Sequence, residues 1–162
     1  MRFRELIEEI QPGGTFYHVT TDNRLKSIMT TGLEPRRHRR WHNQLGGILG
    51  DRGVIYLISD FTEAVRFAAR WDWQMRMHKK QMKTVILVLK NVPTAGLEPD
   101  NHIEGQLAGH TWYKSPAIIP PQDIARVIPL TPELTKQVVA GGATEPEEEP
   151  VQQAPNQPPP AF

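Results

Sequence analysis

The sequence predicts an α+β domain, and three observations carry that expectation. A strand-like run that leads straight into a helix-like segment occurs twice, at 16–31 and at 54–75. Thr84-Val85-Ile86-Leu87-Val88-Leu89 is an unbroken run of β-formers with the length of a buried strand. Short apolar runs separated by proline then close the chain before a final helix.

Taken in order, residues 1–10 read as a helix with Phe3, Leu6, Ile7 and Ile10 on one face, ended by Gln11-Pro12-Gly13-Gly14. Phe16-Tyr17-His18-Val19-Thr20 is the first strand, with His18 near its end. Leu25, Ile28 and Met29 then recur at helical spacing, with Thr21 or Asp22 as cap and Gly32 as stop. Amides at such a helix start suit an anionic or amide-bearing ligand.

Arg36-Arg37-His38-Arg39-Arg40-Trp41-His42 follows Pro35 and reads as an exposed loop. Its cations and indole suit phosphates and a stacked base, and equally a solvated surface. His38 and His42 have no third ligand nearby in sequence, so no metal site is expected. The glycines of Leu45-Gly46-Gly47-Ile48-Leu49-Gly50 are not followed by Lys-Ser/Thr and make no phosphate loop.

Val54-Ile55-Tyr56-Leu57-Ile58 is the second strand. Asp60 and Glu63 form a capping-box-like start to a helix whose buried face is Ala64, Val65, Ala68, Trp71 and Met75. Arg66, Arg70, Arg76, Lys79 and Lys80 crowd the same helix, with Lys83 beyond it, as a solvated surface or a stripe facing nucleic acid. After the third strand comes a long loop, 92–105, carrying Glu98, Asp100 and Glu104; loops of that length in a compact domain often carry function. Trp112-Tyr113, Ala117-Ile118-Ile119 and Ile124-Ala125-Arg126-Val127-Ile128 are expected as short closing strands, and residues 132–139 as the last helix.

These elements delimit a domain over 1–140. Residues 141–162, rich in Glu, Pro and Gln, have too few apolar groups to offset their ordering entropy and are expected to be a disordered tail. Cysteine is absent, which excludes disulfides and thiolate chemistry and is compatible with a reducing compartment. No apolar run approaches the roughly 20 residues a bilayer span needs, so a soluble protein is expected; a cytoplasmic location and a monomer are separate expectations. The net charge of +1 conceals an asymmetry. Residues 1–90 hold 16 of the 19 Lys and Arg against 9 acids, whereas 91–162 hold 3 against 9. A positive domain face would attract nucleic acid or a phosphate-bearing ligand.

In order and spacing these segments resemble the ADP-ribosyltransferase superfamily over about Phe16 to Val127. Phe16-Tyr17-His18-Val19-Thr20, with Ser27-Ile28 and Gly32-Leu33 behind it, looks like the family's Tyr-His-Gly-Thr/Ser segment. Val54-Ile55-Tyr56-Leu57 with Glu63-Ala64 looks like its tyrosine strand and helix, and Ile119-Pro120-Pro121-Gln122-Asp123-Ile124 is similar to the Ile-Pro-Pro closing element of small bacterial and phage relatives. The nearest pattern is the short rifampicin-modifying type, where an aspartate in the acidic loop takes the third catalytic place; Leu97-Glu98-Pro99-Asp100-Asn101 falls there. Val19 departs from the family glycine, and no glutamate stands in the Thr111-Trp112-Tyr113 region where the commonest subgroup has one.

The resemblance implies a split-sheet core, NAD as substrate, no metal, and a protein, nucleic-acid or small-molecule acceptor. It would have His18 bond the nicotinamide ribose, the backbone at Val19 hold the carboxamide, and Tyr56 stack on the nicotinamide ring, with Thr20 and Arg36 completing the NAD set. Asp100 is the expected catalytic acid, with Glu98 and Glu104 as rivals. Such a domain would suit a phage or bacterial effector acting in the host cytoplasm. Two alternatives share the fold. One is an NAD-using RNA 2′-phosphotransferase, echoed by Tyr113-Lys114-Ser115-Pro116 and Pro120-Pro121; the other is a non-catalytic nucleic-acid or protein binder.

Overall fold

A computed structural model describes residues 14–35, 53–94, 96–99 and 112–147. The expected first helix, the arginine loop with Arg36, His38 and His42, the glycine link, Asp100, Glu104 and everything from 148 onward lie outside the described residues.

Among the described residues, three α-helices and six strands make an α+β domain: β1 (Phe16–Thr21), α1 (Asp22–Thr31), β2 (Ile55–Ile58), α2 (Phe61–Met77), β3 (Thr84–Leu89), β4 (Glu98–Pro99), β5 (Trp112–Ser115), β6 (Ile124–Pro129) and α3 (Pro132–Val139). The strands form one antiparallel sheet in the order β4-β5-β2-β1-β3-β6. All six residues of β3 are buried, because strands flank it on both edges and core clusters cover both its faces.

Side chains alternate across a strand, so each face receives its own core. One face gathers Phe16, Leu57, Leu87, Leu89 and Tyr113 under α1, through Ile28, and under Leu33 and Ile119. The other gathers Tyr17, Ile58, Ile86, Val88 and Trp112 against Ala64, Val65 and Ala68 of α2 and Leu134 of α3. In β6 the register slips between Val88↔Arg126 and Leu89↔Ile124, leaving Ala125 as an extra residue. That bulge turns Ile124 toward the α1 core while Ile128 packs into the α2 core.

Gly32 explains how α1 meets the end of the sheet. Its φ is +84°, and a Cβ there would lie 2.3 Å from the carbonyl oxygen of Ile119. Only glycine permits both the left-handed turn and that approach, which lets Leu33 and Ile119 form a two-way backbone bridge at 2.8 and 3.0 Å. This bridge is all that remains of the strand expected at 117–119. Pro116 and Pro120 flank it without N–H donors, and Ile118 is exposed. The expected 92–105 loop differs as well, since Glu98–Pro99 pair with β5 as a two-residue edge strand.

The expected capping box on α2 is half realised. Asp60 accepts a hydrogen bond from the Glu63 amide at 2.8 Å, but the Glu63 carboxylate turns to Arg66 instead of reaching back.

Residues 141–147, expected as the start of a free tail, lie against the domain. Thr62 Oγ1 accepts from the Ala143 amide at 3.0 Å and Ala143 packs on the α2 core. The Tyr17 hydroxyl donates to Glu145, and Arg126 donates to Glu145 and to the Pro146 carbonyl. The polar composition that argues for disorder here matches polar groups the sheet leaves at its surface.

Candidate functional site

β1 is paired along its whole length with β3, in six consecutive register pairs. With β2 it makes one, Tyr17↔Ile58. The same register would set Val19 opposite Tyr56, yet among the described residues the β1–β2 ladder does not extend to that pair. Instead, His18 Nδ1 lies 2.9 Å from the Tyr56 carbonyl oxygen. A carbonyl only accepts, so Nδ1 carries the proton and donates; in the neutral ring Nε2 is then the acceptor nitrogen. The bond to a main-chain carbonyl thus fixes the proton on Nδ1.

His18 and Tyr56 are therefore neighbours through the ring of one and the backbone of the other. Their side chains sit differently. Tyr56 packs against the α2 core together with Val19, whereas His18 alternates onto the face that Phe16 shares. Both side chains are half-buried. Thr20 is 5 % exposed and paired with Val85, which leaves it little surface to offer a ligand beyond its backbone.

On the Tyr56 face the register continues outward. Tyr56 stands opposite Lys114, and Lys114 opposite Glu98. Strand spacing puts the Glu98 backbone about 10 Å from that of Tyr56. Of the three acids expected in this region, Glu98 is the described one, and it is exposed. The place of Lys114 between Tyr56 and Glu98 is not legible in Trp112-Tyr113-Lys114-Ser115, because it depends on the register with two other strands.

A second polar cluster, also missed, lies on the α2 face near the start of β1. Tyr17 Oη donates to Glu145, which also binds Arg126, with its Oε2 3.3 Å from Nη1. Burial raises the Tyr17 pKa most, and the hydrogen bond to Glu145 and the charges of Glu145 and Asp60 raise it further, against a smaller lowering by Arg126. A single arginine amid the apolar run 124–128 was the available sequence signal.

Among the described residues no group of three or more His, Asp or Glu is placed to hold a metal ion. No helix among them is long and apolar enough to cross a membrane. No protein-family model matches the chain, and no curated protein matches its sequence.

Proposed function

We propose that the chain is an NAD-dependent ADP-ribosyltransferase, moving ADP-ribose from NAD to a nucleophilic acceptor with release of nicotinamide. The observation that supports this reading is the interrupted β1–β2 ladder with His18 bonded across it. A carboxamide needs a backbone donor and acceptor, and the β1 main chain where the β1–β2 pairing stops would supply them. Val19 would meet that need with its main chain, so the valine in place of the family glycine leaves the contact possible. His18 would bond the ribose of the nicotinamide half from this position.

In this reading the nicotinamide binds beside the β1–β2 junction on the His18 face of the sheet, and Tyr56 contributes through its backbone, since its ring lies on the other face. Departure of nicotinamide leaves positive charge on the ribose, and a carboxylate from the 98–104 stretch stabilises it and takes the acceptor's proton. Asp100 is the expected acid, with Glu98, in register beyond Lys114 on the Tyr56 side, and Glu104 as its rivals.

The test is incubation of the purified chain with adenylate-labelled NAD and protein, nucleic-acid or small-molecule acceptors. Nicotinamide release and acceptor labelling are expected, both lost in His18→Ala. Absence of release with every acceptor class, or release that His18→Ala leaves intact, overturns the proposal. NAD-dependent removal of phosphate from a 2′-phosphorylated RNA would identify the phosphotransferase instead.

A further inference from the structure

The inner face of α2 is used by the sheet, through Ala64, Val65 and Ala68. Its outer face is unusual in composition. Arg66, Arg70, Trp73 and Met77 are all exposed, and helical spacing sets them within about 60° of one another along one stripe. Trp73 is 62 % exposed and Met77 64 %, the two largest exposures among the helix's hydrophobic residues. At the end of the stripe the chain turns back through Lys79, at φ +54°, with the Lys80 amide bonded to the Met75 carbonyl at 3.0 Å. That turn sets exposed lysines 79 and 80 beside the last helical turn, and exposed Lys83 follows.

Residues 63–83 hold six Lys and Arg and two acids, Glu63, which is paired with Arg66, and Asp72. Asp72 is itself engaged by Arg76 at 2.8 Å and by the Thr84 hydroxyl at 3.1 Å. The stripe is therefore strongly positive, with an indole in its middle.

We infer that this face of α2 binds single-stranded nucleic acid, its cations following the phosphates and Trp73 stacking on a base. The charge selects a polyanion. The exposed indole selects one with accessible ring faces, since an unpaired strand offers bases for stacking and a duplex hides them. An anionic membrane fits less well. Interfacial helices insert a broad apolar face, whereas here that face is buried against the sheet and one indole and one thioether remain.

The inference is independent of the transferase reading, and its test contains no NAD. Fluorescence anisotropy of the full chain with labelled DNA and RNA single strands of about 15 nucleotides is expected to show salt-sensitive binding, with quenching of tryptophan emission. Trp73→Ala, at a solvent-exposed position, should weaken binding about tenfold while leaving the melting temperature unchanged. Combined Lys79→Ala, Lys80→Ala and Lys83→Ala should lower the slope of log K against log salt by about 2. The DNA and RNA arms decide which strand is preferred. Binding to duplex or heparin as tight as to single strands with Trp73→Ala unaffected overturns the inference. So does binding to phosphatidylserine vesicles without binding to oligonucleotides.

Discussion

The hydroxyl of Tyr17 and the carboxylate of Glu145 share a hydrogen bond across 128 positions of chain. Tyr17 is buried among Ile58, Phe61 and Val88, and its ring lies 5.3 Å from that of Phe61. A buried hydroxyl needs a partner, and the segment after α3 supplies one. Glu145 is held in turn by Arg126, so three elements that the sequence separates are tied at one point.

Removing that partner should be measurable. Glu145→Ala leaves the Tyr17 hydroxyl to find water and takes one acceptor from Arg126, at a cost of about 1–2 kcal/mol. Urea denaturation of the full chain should show the loss. Tyr17→Phe combined with Glu145→Ala should cost less than the sum of the two single changes. Additive losses would mean that the two groups do not interact in solution.

The same contact gives stability a pH dependence with a defined sign. The folded-state pKa of Tyr17 is raised above the ordinary 10.0, chiefly by burial and then by Glu145. Its contribution is therefore fully present below pH 10.0 and is lost as pH rises above that value, where the unfolded chain releases the proton first. Denaturation midpoints measured at pH 8 and at pH 10.5 should fall more for the native chain than for Tyr17→Phe.

Gly32→Ala should destabilise the domain by about 2–3 kcal/mol, since it combines a positive φ with a Cβ placed against the Ile119 carbonyl. Urea midpoints measure the loss. Slowed exchange at the amides of Leu33 and Ile119 in the native protein, and its disappearance in the variant, would locate the damage at their bridge. Asp60→Ala offers a milder comparison, about 1 kcal/mol for one lost helix cap.

The catalytic carboxylate is separable by isosteric substitution. Under the proposed transferase activity, one of Glu98→Gln, Asp100→Asn and Glu104→Gln should lower kcat for nicotinamide release by about 10²–10³, the other two changing it little. Retained folding by circular dichroism separates loss of chemistry from loss of structure. Equal, small effects of all three would remove this stretch from the reaction.

Much of the fold was legible in the amino-acid order because it rests on local rules. Thr84–Leu89 is apolar or β-branched throughout and became the strand buried on both faces. Pro132 after Thr131 marked a helix start, Thr131 accepts the Leu134 amide, and the helix spans the expected residues. Asp60 and Gly32 did as their types predict at the ends of α2 and α1. Pairing was not legible in this way. Nothing along the chain says that β1 joins β2 through one pair and β3 through six, that Lys114 separates Tyr56 from Glu98, or that an acidic stretch expected to be free would place Glu145 on Tyr17.

The sequence by itself determined the longer described strands and helices, though not the 98–99 strand or the reduction of 117–119 to a bridge, since hydrophobic period, caps and breakers act over a few residues. Only the tertiary structure decided what His18 touches. Its partner is a backbone carbonyl 38 positions away, and backbone polar groups are alike in every residue, so strand register alone selects the one that the imidazole meets.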